Sequence, residues 1–388
     1  MTEPVYLDYA ATTPMDPRVS ECMLKHMGQG SGFGNPSSVT HAYGRAAAVA
    51  IEQAAAEVAE LVNADPDYVI WTSGATESDN LGVIGAARFR RSRGRHVITA
   101  ATEHKAVLAA CGELQRQGYD VTVLQPDDMG VIEPAAVSAA LRPDTVLVSI
   151  MHANNETGVV QDIAAIGALC REGGALFHVD AVQSAGKLPI DMRAQCVDLL
   201  TLNAHKACGP KGVGALVLNV ETVKRVEPLM FGGGQQRGMR PGTLPVHQIV
   251  GMGETARLLR LEMSQEVPRI ERLRDDLWSG IKDLPGILLN GHPHRRIASI
   301  LTVSVAGVEG ESLRFAVDDL ALTSGSACNS ASGEPSYVLR ALGRSDALAE
   351  ASLRFSLGRF TQPDDVARAS ASFRRGVGHL RSLSAVNF

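Results

Sequence analysis

Between about residues 66 and 220 the chain alternates short apolar runs rich in β-forming residues with stretches of helical period, and few folds accommodate that order. The runs DYVIWT, RHVITA, YDVTVL, TVLVSIM, ALFHVD, VDLLTL and VGALVL read as strands, several of them separated by amphipathic segments such as DIAAIGALCREGG. The pattern predicts an α/β fold, a mainly parallel sheet covered by helices on both faces. Ligands of such sheets bind outside the carboxyl ends of the strands. Thr76, His104, Asn155, Asp180, Gln183, His205 and Lys206 all fall just after expected strands and should converge on one crevice.

The 388 residues exceed one average core and suit a large domain with a smaller companion. After FGGGQQRGMRPGT the pattern from 244 to 284 is helical, and Pro268 is expected to kink or divide it. Beyond it RRIASILTVSVAG reads as a strand, ESLRFAVDDL as a helix, and SGSACNSASGEPS as a loop of small residues. The expected boundaries are an N-terminal segment 1–15 that joins the small domain, a large domain 16–257 and a small α+β domain 258–388.

A net charge of −5 gives no general attraction to nucleic acid. The N-terminus has no basic segment followed by an apolar core, and no apolar run approaches the length of a membrane span, so a soluble cytoplasmic protein is expected. The six cysteines are widely spread and form no CxxC pair, which argues against a disulfide framework, and no Cys/His set has metal-ligand spacing.

The segment SGATESD, from Ser73, joins a strand to a helix. Its free backbone N–H groups, helix dipole and hydroxyls suit a phosphate, although Thr76 followed by Asp79 also has the spacing of a capping box. Asp180 closes an apolar strand, where a carboxylate needs a partner such as a cationic heterocyclic nitrogen. Lys206 follows the next strand and should lie beside it, placed to form a Schiff base with an aldehyde cofactor. An amine, a carboxylate and a phosphate cup are together what pyridoxal 5'-phosphate (PLP) requires. His104 is placed to stack on a flat ring and to move protons, and Asn155 and Gln183 to donate hydrogen bonds.

Cys328 differs from the other cysteines because small residues surround it, which should leave its thiol accessible and mobile. Cys111 and Cys170 lie within helical patterns, Cys196 just before a strand and Cys208 two residues after Lys206; these and Cys22 read as small buried hydrophobes. Arg354, on the strand-like SLRFSLGRF, offers a fork of donors for a substrate carboxylate.

With these residues in place, the chain resembles the cysteine desulfurases of the IscS/NifS type, within the fold-type I PLP enzymes. The likeness runs through YLDYAATTP, FGNPSS, WTSGATESDN, TEHKAVL, MHANNETGVVQDI, HVDAVQSAGKLPID, GPKGVGAL, GTLPVHQIVGMGE, SGSAC, EPSYVLRALG and RFSLGRFT, essentially residues 5 to 383. The resemblance implies a seven-stranded large domain, PLP as cofactor and L-cysteine as substrate. It implies that Lys206 holds the cofactor, Asp180 pairs with its ring nitrogen, His104 stacks on the ring and Gln183 meets the phenolic oxygen. Ala75, Thr76 and His205 would hold the phosphate, with Thr243 supplied by the neighbouring subunit of a homodimer. Asn155 and Arg354 would bind the cysteine carboxylate, with Asn35 nearby.

Cys328 would take the sulfur as a persulfide and pass it to an acceptor protein. Where the family usually has SGHK, this chain has Asn203-Ala204-His205-Lys206, which puts an amide donor at Asn203 in place of a phosphate-binding hydroxyl. The chain ends at LRSLSAVNF, so the tail that engages an iron-sulfur scaffold is expected to be missing. The acceptor is then either such a scaffold or another thiolation protein. A selenocysteine lyase, or a non-catalytic sulfur-relay scaffold, would share the same apparatus.

Overall fold

The computed structural model describes residues 3–29, 32–323 and 334–385. Its strands are β1 (Val5–Tyr6), β2 (Val69–Thr72), β3 (His96–Ala100), β4 (Asp120–Leu124), β5 (Thr145–Ser149), β6 (Leu176–Asp180), β7 (Leu199–Asn203), β8 (Gly214–Leu218), β9 (Ile287–Leu289), β10 (Ile300–Val305), β11 (Leu320–Ala321) and β12 (Ser352–Ser356). The seven expected from the apolar runs form one sheet in the order β2-β8-β7-β6-β5-β3-β4. The neighbours from β7 through β4 are parallel, while β8 runs antiparallel to both β7 and β2.

The central strands are mainly apolar and buried along almost their whole length because both their faces are covered. Val97, Leu147, Leu176 and Leu199 pack towards Leu81–Gly85 and the helix Lys105–Arg116, whereas their neighbours Ile98, Val148, Phe177 and Leu200 pack towards the helices Ala42–Val62, Ile163–Gly173 and Val246–Ile281. The strand period of two thus sorts successive residues to opposite sides. The carboxyl ends of β3, β5, β6 and β7 emerge side by side, with Asp180 paired to Thr201.

A second sheet, in the order β12-β10-β9, packs through Leu301, Val303, Leu353 and Phe355 against Leu273, Leu277 and Phe373. β1 pairs in parallel with β11, and a bridge joins Asp8 to Ser356, so the first residues of the chain lie along this smaller unit. Pro268 does not divide this segment: Val246–Ile281 is one helix. The carbonyl that the proline leaves without a donor is that of Ser264, and both residues are exposed, so water satisfies it.

Candidate active site

The strand ends open onto a cavity of about 280 Å³ lined by Ala10, Ala11, Ala75, Thr76, His104, Met151, Ala153, Asn155, Asp180, Val182, Gln183, Asn203, His205, Lys206 and Arg354. Two elements build its walls. The strand ends supply most of the polar groups, and an N-terminal strap, residues 8–16, crosses beside Lys206. Lys206 ends the short turn Ala204–Lys206 after β7, and its Nζ donates to the carbonyls of Ala10 and Ala11, each at 2.7 Å. The strap is tied to the same turn: Thr13 Oγ1 donates to the His205 carbonyl at 2.9 Å and accepts from Cys208 N at 2.7 Å, and Asp16 N donates to the Cys208 carbonyl at 2.9 Å.

Asp180 accepts from Val182 N at 2.9 Å through Oδ1. Burial raises its carboxyl above the usual range, and His104 and Lys206 pull it back. His104 caps the helix Lys105–Arg116, its Nδ1 accepting from Ala106 N at 3.2 Å. That bond leaves Nδ1 without a proton, and burial lowers the ring's affinity for a second one, while Asp180 opposes this. A carboxylate that burial disfavours and a neutral flat ring are suited to a cationic heterocycle between them.

The capping-box expectation at Thr76 fails. The cap of this helix is Gly74, at φ 152°, with no side-chain bond, and Glu77 reaches back instead, Oε2 accepting from Ser73 N at 2.7 Å. The helix start thus keeps N–H groups for a ligand. His205 stands beside it with Nδ1 3.1 Å from Thr12 Oγ1; burial first, then the neighbouring lysines, push its ring down to about 4. Asn203 Oδ1 is buried without a hydrogen-bond partner among the described residues. Turning that amide over presents its NH₂ instead, so an anion at the helix start gains a donor. The residues present therefore fit PLP: an amine, a carboxylate, a stacking ring and an uncapped helix start bound one cavity.

On the substrate side, Arg354 is 1% exposed, and its guanidinium is already engaged: Nη2 donates to Asp8 Oδ1 and Nη1 to the Asn155 carbonyl, both at 2.8 Å. Arg354 Nε and Asn155 Oδ1 are buried and have no partner among the described residues. Gln183 is also committed, Nε2 donating to the Ala10 carbonyl at 3.0 Å and Oε1 accepting from Lys187 Nζ at 3.1 Å. Burial brings Lys187 down to about 8. Asn35 and Thr243 do not reach the cavity: both are exposed, and Asn35 Oδ1 accepts from Ser37 N. Cys328 lies outside the described residues.

Sequence reasoning missed Asp8, the strap carbonyls and a group of buried acids beneath Asp180. Asp79 is wholly buried, and neither carboxyl oxygen has a hydrogen-bond partner among the described residues. His178 Nε2 is 3.8 Å from Asp79 Oδ1, and that ring is held by Ser149 Oγ at 2.8 Å and Thr201 Oγ1 at 3.0 Å. Burial drives Asp79 well above the usual carboxylate range, Asp180 adding to the effect, and drives His178 down to about 3, so burial favours the uncharged form of each. An acid raised in this way stabilises the fold below its unfolded value near 4, and that contribution is lost as pH rises towards the folded value. Asp79→Asn is neutral at every pH. Its stability relative to wild type should therefore climb with pH above 4, at up to about 1.4 kcal/mol per pH unit. Urea midpoints of the two apoproteins measured from pH 5 to 8 check this; parallel profiles would show Asp79 to be ionised.

Burial raises the thiols of Cys22, Cys170 and Cys208, and that of Cys111 to about 12, so none of these is a ready thiolate. Among the described residues no group of three or more His, Cys, Asp and Glu is placed to hold a metal, and no helix is long and apolar enough to cross a membrane.

Residues 5–369 match the family described as aminotransferase class-V. The chain is 54% identical over 384 residues to the cysteine desulfurase IscS of Pectobacterium atrosepticum, covering 99% of this chain and 95% of that one. Among solved structures it is similar to a NifS-like protein (TM-score 0.89, 32% identity, 97% of this chain and 100% of that one). It is also similar to SspA in complex with cysteine (TM-score 0.80, 36% identity, 92% and 99%).

Proposed function

We propose how this chain, which belongs to the class-V aminotransferase family and is a PLP-dependent cysteine desulfurase, divides its reaction among the residues of one cavity. The observation that carries the proposal is the convergence of Lys206, Asp180, Thr76, His205 and Arg354 on that cavity, although they come from distant parts of the chain. When bound there, PLP supplies an electron sink.

Lys206 anchors the cofactor through Nζ and exchanges the strap carbonyls for that bond. Released from that bond, the same Nζ would be placed to take the proton from the substrate α-carbon. Asp180 holds a positive charge on the cofactor ring nitrogen, and that charge in turn favours the ionised carboxyl that burial alone disfavours. His104 stacks on the ring, and Gln183 faces its phenolic oxygen. Ala75, Thr76, Asn203 and His205 receive the phosphate. Asn155 and Arg354 hold the substrate carboxylate. The Cys328 thiolate attacks the substrate sulfur: an S–S bond forms, the C–S bond breaks with its electron pair kept by carbon, that carbon takes a proton, and Lys206 Nζ returns a proton to the α-carbon to give alanine.

The sulfur then passes to an acceptor protein, an iron-sulfur scaffold or another thiolation protein, in the cytoplasm and without a nucleic-acid partner. Thr243, exposed and away from the cavity of its own chain, serves the phosphate of a second copy in a homodimer. The large unit spans 16–257 and the small one 258–388, with residues 1–15 joined to the latter. Support for that joining is the pairing of β1 with β11.

Borohydride treatment of the holoenzyme, which fixes a cofactor bound to lysine as a secondary amine, followed by peptide mapping, tests the assignment. The pyridoxyl mass belongs on the peptide holding Lys206. Its appearance on Lys187, or on no peptide of a yellow protein, would contradict it.

A further inference from the structure

An arginine that awaits a substrate carboxylate would be expected to keep its donors free. Arg354 does not: Asp8 Oδ1 already occupies Nη2 at 2.8 Å, and the Asn155 carbonyl occupies Nη1. Asp8 is firmly placed. It bridges to Ser356, on the same strand as Arg354, its carbonyl accepts from Tyr6 OH at 3.2 Å, and its Oδ1 lies 3.5 Å from Thr323 Oγ1. Its side chain is 15% exposed, so water screens it little. A carboxylate arriving at Arg354 thus meets a guanidinium whose charge Asp8 already offsets in part; Nε–H, which has no partner among the described residues, and the second N–H of each Nη are the donors left to it.

Cysteine and alanine carry the same carboxylate. Binding strength invested there holds product as tightly as substrate and lowers KM without raising kcat. A weakened clamp is therefore of use to a desulfurase. We propose that Asp8 is a positioning residue that orients Arg354 and offsets its charge, so that the substrate carboxylate is held in register yet alanine is released. This rests on the reading of Arg354 as the carboxylate clamp.

The two roles of Asp8 separate in two variants. Asp8→Asn keeps an acceptor for Nη2 and removes the charge; Asp8→Ala removes both. In the holoenzyme, Asp8→Asn is expected to bind alanine, titrated calorimetrically without turnover, roughly tenfold more tightly than wild type, the scale of one charge acting over several ångströms inside a protein. KM for cysteine should fall in parallel, and kcat should not rise. Asp8→Ala should raise KM, because the guanidinium is no longer oriented. If a normally folded Asp8→Asn binds alanine no more tightly than wild type, or behaves like Asp8→Ala, Asp8 is an anchor only and the proposal fails. Arg354→Ala separates that failure from one of the underlying reading: unchanged alanine binding in that variant would show that the clamp lies elsewhere.

Discussion

Lys206→Ala should lower the conversion of cysteine to alanine by three orders of magnitude or more, since it removes both the covalent anchor and the base, and positioned proton transfer alone contributes roughly 10²–10⁴-fold. Among the described residues that line this cavity, Lys206 is the lysine. Lys187, brought down to about 8 by burial, does not line this cavity but an adjoining one that shares Ala10 and Lys206 with it, and is bound to Gln183. The fold should survive, because the bonds to the Ala10 and Ala11 carbonyls that are lost are each of the order of 1 kcal/mol. Alanine production and cofactor retention after gel filtration, measured on the same preparation, check the prediction. Turnover within tenfold of wild type would remove Lys206 from the chemistry.

The second large effect is expected from Cys328→Ala, which should stop persulfide formation and reduce alanine release by at least about a hundredfold. The segment 324–333 that contains this residue is flanked by anchors on the cavity. Thr323 receives a backbone hydrogen bond from Arg354 at 2.9 Å, while Ser336 donates to Glu156 at 2.5 Å and Tyr337 to the Glu103 carbonyl at 2.7 Å. Replacement by another cysteine is disfavoured, because burial keeps Cys111, Cys170 and Cys208 in the thiol form.

Much of this site was legible because a parallel sheet writes its ligand groups in one place, just after each strand. Asp180, Lys206, His104 and Asn155 interrupt apolar runs, and the strand order β7-β6-β5-β3 then sets them side by side. What escaped notice depends on contacts without local pattern. Lys206 and the Ala10 carbonyl are 196 residues apart, and no periodicity links them. Asp8 sits in a stretch whose side chains look like those of an ordinary tight loop, and its importance comes from Arg354, 346 residues away. Asp79 matched a cap by spacing, yet the helix turns it inward, where burial rather than the backbone decides its proton. Asn35 looks functional by motif but is exposed and not part of this cavity's lining, and Pro268 looks like a break but falls on an exposed face that water can satisfy.

One lysine and one cysteine act, on this reading, on a substrate held in the same cavity. The most direct measurement is to incubate the holoenzyme with L-cysteine, quench the free thiols by alkylation and map the peptides by mass. The account predicts one additional sulfur on the peptide that contains Cys328, absent when Lys206 is replaced by alanine. Sulfur accumulating on Cys208 or Cys111, or on Cys328 irrespective of Lys206, would contradict it.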